Sequence, residues 1–189
     1  MKKMKRNRFI WPVVLLLILV SCSPLFLTRS QSAYEKGIRA YTKYLNATSS
    51  VTKATCKKEA IKYLKKSLTE SRETMTTDPF SPNLDKGCLF FLKASVILSE
   101  LDYKNSQSYI KDGFGIAKIF RINTQGKKNE ASGKYWFAKI VSGLKKADRE
   151  TLSEALAAVE YALENLDSGP EKAECASIQQ ILQFRLEKE

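Results

Sequence analysis

The chain has 189 residues, of which 43% are hydrophobic and 28% charged, a composition typical of a globular protein. Its net charge is +12, and it contains no histidine. The absence of histidine excludes Ser-His-acid and Cys-His catalytic triads and every zinc site that uses a histidine ligand.

The N-terminal segment has the pattern of an export signal. Residues 1–8 are strongly basic, and the twelve residues 9–20 form an apolar run. A membrane-spanning helix needs about 20 apolar residues, so a run of this length is typical of a signal-peptide core. The alternative is an uncleaved anchor over 9–27, which would bury four unfavourable residues in the bilayer: Pro12, Ser21, Ser23 and Pro24.

The apolar run ends in Leu19, Val20, Ser21 and Cys22, which resembles the lipobox of bacterial lipoproteins. The resemblance implies that Cys22 receives a diacylglyceryl group in thioether linkage and that a peptidase cuts after the small Ser21. The new amino group would then be acylated, with palmitate or a similar chain, and several chains on one residue give stable anchoring. We therefore predict three segments: a cleaved signal peptide at 1–21, a lipidated N-terminus and tether at 22–32, and one helical domain at 33–189.

The expected location follows from the same resemblance and from the charge distribution. In bacterial lipoproteins a residue such as Ser23 after the cysteine favours sorting to the outer membrane, here facing the periplasm. Basic residues outnumber acidic ones over 22–128, whereas acidic residues are in slight excess over 129–189. The basic part lies nearer the anchor, where anionic headgroups attract it. Nucleic acid is the other partner that positive charge suggests, but an exported lipoprotein rarely meets it, so we expect no nucleic-acid partner.

After the anchor, apolar residues recur at three- and four-residue spacing, without the alternation of a strand. The pattern predicts an all-α fold of about seven antiparallel helices, separated by breaks that include Gly169-Pro170. The predicted helices span 31–46, 56–75, 84–103, 105–121, 129–146, 149–166 and 170–188.

The second helices of the predicted pairs share a spacing of small, large and small residues. Three sets of positions follow it, the middle one loosely: Ala60, Leu64 and Ser67; Ile110, Phe114 and Ala117; Ala155, Val159 and Ala162. This spacing resembles the second helix of tetratricopeptide repeats, although the intervals are longer than that family's period of about 34 residues. The resemblance implies stacked helix-turn-helix pairs with a C-terminal capping helix. A plain helical bundle is the alternative, because its helices would carry the same residues for packing.

Four lysines on the predicted second helix, Lys58, Lys62, Lys65 and Lys66, spread over its polar surface. They are either a solvated surface or a contact with anionic headgroups. Cys56, Cys88 and Cys175 have no metal-site spacing, and we expect them to be buried thiols. Tyr135, Trp136 and Phe137 are expected to pack in the core, with Tyr135 or Trp136 as alternatives for lining a groove.

These patterns favour a non-enzymatic scaffold, tethered by lipid, that binds a protein or peptide on the concave surface lined by the first helices. The alternatives are a carrier that holds a small hydrophobic ligand near Phe90, Phe91 and Trp136, or an accessory subunit of an envelope transporter. No pair of carboxylates stands out as general acid and base. We therefore expect no catalytic residues, no metal and no cofactor.

Overall fold

The computed structural model describes residues 10–77 and 83–188, with side chains described from Leu25 onward. Within these residues it contains seven α-helices, one short 3-10 helix at Tyr103–Asn105 and no strand. The all-α prediction of about seven helices is confirmed. The helices are α1 (Ile10–Asn46), α2 (Ser50–Thr77), α3 (Leu84–Leu101), α4 (Ser106–Thr124), α5 (Glu130–Gly143), α6 (Arg149–Asn165) and α7 (Pro170–Lys188).

The two largest differences from the predicted helix bounds lie at the starts of α1 and α2. Residues 25–32 were predicted as part of a tether, but they continue α1, and Ser30 is already buried against α2. Helix α2 begins at Ser50, so Cys56 lies inside the helix rather than at its start. Both differences have one cause, because polar residues such as Ser30 and Ser50 lie in these helices without the apolar periodicity that predicts a helix.

The chain divides into two compact units, Met1–Phe90 and Phe91–Glu189. Helix α3 begins in the first unit and ends in the second. Of the described residues, the first unit comprises α1, α2 and the beginning of α3, and the second comprises the rest of α3 and α4 to α7. The single domain predicted for 33–189 is therefore organised around two centres of packing.

Small side chains line the contact between α1 and α2. On α1 the buried residues Ser30, Ala33, Gly37 and Ala40 recur at spacings of three and four. A Cβ atom on Gly37 would lie 2.8 Å from the Leu64 side chain, so this position needs glycine for the close approach. Gly37 is near Leu64 and Ser30 is near Ser71, which makes the two helices antiparallel.

Three buried serines satisfy each other in this contact. The hydroxyl oxygens of Ser30 and Ser71 are 2.5 Å apart, and the Ser67 hydroxyl donates to the Ser30 carbonyl oxygen at 3.1 Å. A buried hydroxyl without a partner costs about 1–3 kcal/mol, and this mutual pairing avoids that cost. The polar residues can therefore occupy interface positions that would otherwise require apolar ones.

In the second unit, consecutive helices run antiparallel around α5. Gly113 of α4 faces Ile140, whereas Ile110 faces Gly143. Helix α7 returns parallel to α5, because Tyr135 bonds to Glu174 near the start of both helices and Arg185 donates to the Val141 carbonyl near their ends. With α4, α6 and α7 packed around it, α5 buries most of its circumference. This is a helical repeat-like architecture in which α7 covers α5 and α6.

The ends of α6 and α7 show how local sequence positions these helices. Asp148 caps α6, because its carboxylate accepts a hydrogen bond from the Thr151 N–H at 2.7 Å. Helix α7 begins at Pro170, directly after Gly169, as the sequence predicts. The loop between these two helices is therefore short, and α7 packs against the helix that precedes it.

Candidate functional site

The first candidate site is a cleft between α1 and α2, which we call the basic cleft. Its volume is about 260 Å³. Of the residues described around it, none that lines it carries a carboxylate: the lining consists of Thr28, Arg29, Ser32, Ala33, Lys36, Tyr63 and Lys66. The Lys36 ammonium lies 6.0 Å from the Tyr63 ring centre, and the Lys62 ammonium lies 5.8 Å from it. The cleft is thus a concave, cationic surface around one aromatic ring.

The second candidate site is a cleft of about 360 Å³ lined by residues of α4, α5 and α6, which we call the mixed cleft. Its residues are Arg121, Ile122, Gln125, Glu130, Lys134, Glu154, Ala157 and Ala158. Arg121 pairs with Glu154 across the cleft at 3.2 Å, and Lys134 pairs with Glu130 at 3.0 Å. Lys134 lies over the Tyr161 ring, 3.4 Å from its centre. The pKa of Glu130 is lowered by hydrogen bonds from Lys134 and from the Gly126 N–H, so this carboxylate stays charged.

Exposed apolar side chains accompany the mixed cleft. Ile122 lines it and is 67% exposed, and Ile119, three residues earlier on α4, is 46% exposed. Residues three apart lie on the same face of a helix. The surface therefore combines two large apolar side chains with charges of both signs.

The third candidate site is a wide depression of about 580 Å³, the lysine pocket, at the start of α6. Its lining is Lys111, Phe114, Leu144, Lys145, Lys146, Ala147, Asp148 and Thr151. Asp148 contributes a negative charge and is occupied as the cap of α6; hydrogen bonds from the Thr151 backbone and side chain lower its pKa. Lys118 lies 4.5 Å from the Phe114 ring centre. Because the Asp148 carboxylate lines this pocket, the pocket is less suited to an anion than the basic cleft.

The aromatic residues proposed as alternatives for a groove are part of the packing between α5 and α7. Tyr135 is 2% exposed and donates its hydroxyl hydrogen to Glu174, which also pairs with Lys139. The Trp136 indole N–H donates to Glu171 at 3.2 Å. Phe137 is fully buried. The core prediction is confirmed for all three aromatic residues, and the polar atoms of Tyr135 and Trp136 tie α7 to α5.

The side chains suggested for a ligand carrier are also engaged in packing. Phe91 is fully buried in the second unit, and Phe90 packs on Tyr34 in the first, with ring centres 5.5 Å apart. None of the three clefts described above is lined by Phe90, Phe91 or Trp136.

Cys56, Cys88 and Cys175 are free and buried, in agreement with the prediction of buried thiols. Cys88 lies 3.5 Å from the Met75 sulfur. Burial and the charge of Asp85 raise the pKa of the Cys88 thiol to about 12, which makes it a poor nucleophile at neutral pH. Burial, with the charges of Glu171 and Glu174, also raises the pKa of Cys175.

Most residues predicted for repeat packing are buried. Seven of them are fully buried: Ala60, Leu64, Ser67, Ala117, Ala155, Val159 and Ala162. Ile110 is nearly so, and Phe114 is half-buried at the edge of the lysine pocket, consistent with its loose fit to the spacing. The seven fully buried side chains offer no atoms to a ligand.

The predicted lysines of α2 separate into two groups. All four are exposed, but Lys66 lines the basic cleft and Lys62 flanks its tyrosine, whereas Lys58 and Lys65 do not line it. Arg29 was missed because 22–32 was predicted as a tether. Lys36 and Tyr63 lie on the predicted first pair of helices, but the helix pattern alone did not give the register that brings them together. The three- and four-residue spacing of small residues on α1 was the available signal.

The lipidation site lies outside the described side chains: Leu19, Val20, Ser21 and Cys22 belong to the part of α1 for which only the backbone is described. Among the described residues, no helix is long and apolar enough to cross a membrane. In the same part of the chain, no three or more cysteine, aspartate or glutamate side chains cluster as metal ligands would.

No protein-family model matches this chain, and neither does any curated protein or solved structure with which it was compared.

Proposed function

We propose that the protein is a lipid-anchored, non-enzymatic scaffold that binds a protein or peptide partner at the bacterial cell envelope. The anchor is Cys22, whose position after Leu19, Val20 and Ser21 follows the lipobox pattern. The resemblance to lipoproteins, with Ser23 after the cysteine, supports the outer membrane, facing the periplasm, as the location. The pairs of helices resemble tetratricopeptide repeats in their second helices, and repeat stacks bind peptides on extended helical surfaces.

The exposure of Ile122 beside the mixed cleft is the observation that carries the proposal of a binding surface. A large apolar side chain exposed to water is unfavourable, and its burial against a partner is favourable. Arg121, Glu130, Lys134 and Glu154 surround the isoleucine with both signs of charge, which would fix the orientation of a bound segment. This surface is formed by the second helices α4 and α6 together with Glu130 and Lys134 of the first helix α5, whereas the groove predicted from the sequence is lined by first helices.

The proposal is tested by placing a photo-crosslinking amino acid at position 122 of the lipidated protein in cells. A probe at Ile181 of α7 serves as the control. That isoleucine is exposed as well, at 46% against 67% for Ile122, and it lies outside the mixed cleft. We expect one discrete adduct from position 122 that position 181 does not give. The partner captured in that adduct is then identified and purified. Its binding to the Ile122→Asp variant is compared with its binding to the Ile181→Asp variant.

The expected result is loss of binding in Ile122→Asp alone, by at least tenfold, since a central apolar anchor contributes about 2 kcal/mol or more. Equal binding by the two variants would contradict the assignment of the mixed cleft. Uptake of a hydrophobic ligand by the purified protein, without a protein adduct, would instead favour the carrier function.

A further inference from the structure

The basic cleft lies at the end of the first unit that is nearest to the proposed lipid attachment. Helix α1 runs unbroken from Ile10 to Asn46. At 1.5 Å per residue, Arg29 is about 10 Å along the helix from residue 22, and Lys36 is about 20 Å from it. The headgroup region of a bilayer is several ångströms thick on each side. A lipid on Cys22 therefore keeps Arg29 within about one screening length of the headgroups, roughly 10 Å at 0.1 M salt, and a tilt of α1 toward the membrane brings Lys36 closer.

The charges in the cleft are not neutralised by ion pairs among the described residues. Glu35, on the same helix, pairs instead with Arg39 at 3.7 Å and accepts a hydrogen bond from Gln31. On α2, Glu59 and Glu70 flank this segment but do not line the cleft. Arg29, Lys36 and Lys66 are exposed, so their donors face solvent and are available to an anion.

The lining offers donors of several kinds as well as charge. Arg29 presents a planar fork of N–H groups, which suits two oxygens of one phosphate, and the two lysines supply point charges. The hydroxyl of Ser32 lies in the same lining. A volume of about 260 Å³ is several times the roughly 30 Å³ of a water molecule, so a tetrahedral phosphate with part of its ester fits.

Apolar side chains lie on the part of α1 between the basic cleft and residue 22. Phe26 is half-buried, and the Arg29 guanidinium lies 6.0 Å from its ring centre. Leu25, one residue nearer the attachment point, is 47% exposed. An arrangement with apolar residues toward the anchor and cationic residues beyond them matches the order of a membrane surface, from chains to headgroups.

We propose that the basic cleft binds the phosphate of an anionic lipid headgroup in the membrane that carries the protein. The inference rests on the proposed lipid anchor, which sets which end of α1 approaches the bilayer. The sequence offered a contact of Lys58, Lys62, Lys65 and Lys66 with headgroups as one alternative, and the proposed site is a different set, Arg29, Lys36 and Lys66 around Tyr63. The bound headgroup would fix the orientation of the first unit against the membrane, which a single attachment point on Cys22 does not do.

The test measures vesicle binding by the unlipidated mature chain, residues 22–189 with Cys22→Ser, which keeps every residue whose side chain is described. Vesicles are phosphatidylcholine alone or with phosphatidylglycerol, at an ionic strength of about 0.1 M, where the screening length is about 10 Å. We expect binding only to the anionic vesicles. Arg29→Gln and Lys66→Gln should each lower the partition coefficient about fivefold, and the double variant about 25-fold, because a basic residue near an anionic surface contributes about 1 kcal/mol.

The matched control is Lys43→Gln with Lys53→Gln, which removes the same charge from the same unit near the loop between α1 and α2. Position 43 is about 30 Å along α1 from residue 22, three times the screening length of about 10 Å. This pair should change binding less than twofold. An equal loss in both double variants, or equal binding to both kinds of vesicle, would overturn the cleft as a headgroup site.

A competition arm distinguishes a lipid from a free phosphate ester. Soluble glycerol phosphate, at ionic strength matched with sodium chloride, should not displace the protein from anionic vesicles beyond the salt control. Displacement beyond that control would assign the cleft to a soluble phosphate ester and overturn the lipid assignment. The protein in this experiment has no lipid, so a negative result would refute the headgroup site without bearing on the attachment at Cys22. That attachment is tested separately by fractionation of cells.

Discussion

Tyr135 of α5 donates its hydroxyl hydrogen to Glu174 of α7, and the same carboxylate pairs with Lys139 one turn along α5. The Glu174 carboxylate of α7 thus bonds to two side chains of α5, Tyr135 and Lys139. Burial raises the pKa of Tyr135, and the hydrogen bond to Glu174 raises it further, so the hydroxyl stays a donor through the physiological range. Burial also raises the pKa of Glu174, but the hydrogen bonds from Lys139 and Tyr135 outweigh it, and the pKa of this carboxyl is lowered overall.

Stability should therefore depend on pH through Glu174. A carboxyl group whose pKa is lower in the folded state stabilises the fold above its unfolded pKa of about 4.3, and this contribution is lost as the pH falls through the folded value. The Glu174→Gln variant should be less stable than the parent at pH 7 and should approach it below about pH 4. Solvent screening keeps the difference small, because the glutamate side chain is 42% exposed.

The measurement is urea unfolding of the unlipidated mature chain at several pH values between 3 and 7. Glu164→Gln is the matched control, since Glu164 is exposed on α6. Parallel pH profiles for the parent and the Glu174 variant would show that α7 is not held by this carboxylate.

The small residues of α6 should not tolerate enlargement. Ala155 and Ala162 are fully buried, so Ala155→Leu or Ala162→Leu inserts three carbons into a filled interface and should lower the free energy of unfolding by about 1–3 kcal/mol. Glu164→Leu on the exposed surface is the control and should change it little. Chemical denaturation provides the free energies. Unchanged stability in both alanine variants would place these residues on the wrong face of α6.

Two glycines of the second unit should respond to alanine in opposite directions. A Cβ atom at Gly133 would overlap the Thr124 hydroxyl oxygen, which hydrogen bonds to the Phe120 carbonyl at 2.9 Å and cannot easily move away. Gly133→Ala should therefore destabilise the fold by about 1–3 kcal/mol. A Cβ atom at Gly115 would meet nothing within 4 Å.

Gly115→Ala should accordingly stabilise the fold by up to about 1 kcal/mol, the difference in helix propensity between the two residues. The pair is measured by thermal unfolding against the same parent. If both variants shifted the midpoint of thermal unfolding in the same direction, the contact between α4 and α5 at Gly133 would be less close than the structure has it.

The sequence predicted helices well because their signal is local. Apolar periodicity and the Gly169-Pro170 break place seven helices, and the small residue at 155 already indicates a close contact. The basic cleft depends instead on the register of two helices, which brings Arg29 and Lys66 together across the α1–α2 contact. That register rests partly on buried serines such as Ser30, whose hydroxyl groups find partners on the other helix and leave no apolar pattern in the sequence.

The buried thiols should differ in reactivity. Cys88 is fully buried, and with a pKa of about 12 only about one thiol in ten thousand is ionised at pH 8. Cys56, 8% exposed near the start of α2, serves as the internal comparison. Iodoacetamide labelling of the folded, unlipidated mature chain, followed by mass spectrometry, should modify Cys56 before Cys88, and urea should make both react. Faster modification of Cys88 in the folded chain would contradict its burial.

The final prediction concerns the anchor. Cys22→Ser removes the sulfur that would form the thioether, so the lipid is not attached, and the peptidase that requires the modified cysteine leaves the precursor uncleaved. In cells labelled with radioactive palmitate, the parent protein should carry label and migrate as the shorter mature form. The variant should be unlabelled and longer. Cys56→Ser is the matched control, because it makes the same change at a buried cysteine and should leave labelling and cleavage intact. Normal processing and membrane retention of the Cys22 variant would refute the anchor, since a single apolar run of twelve residues is too short to hold the protein across a bilayer.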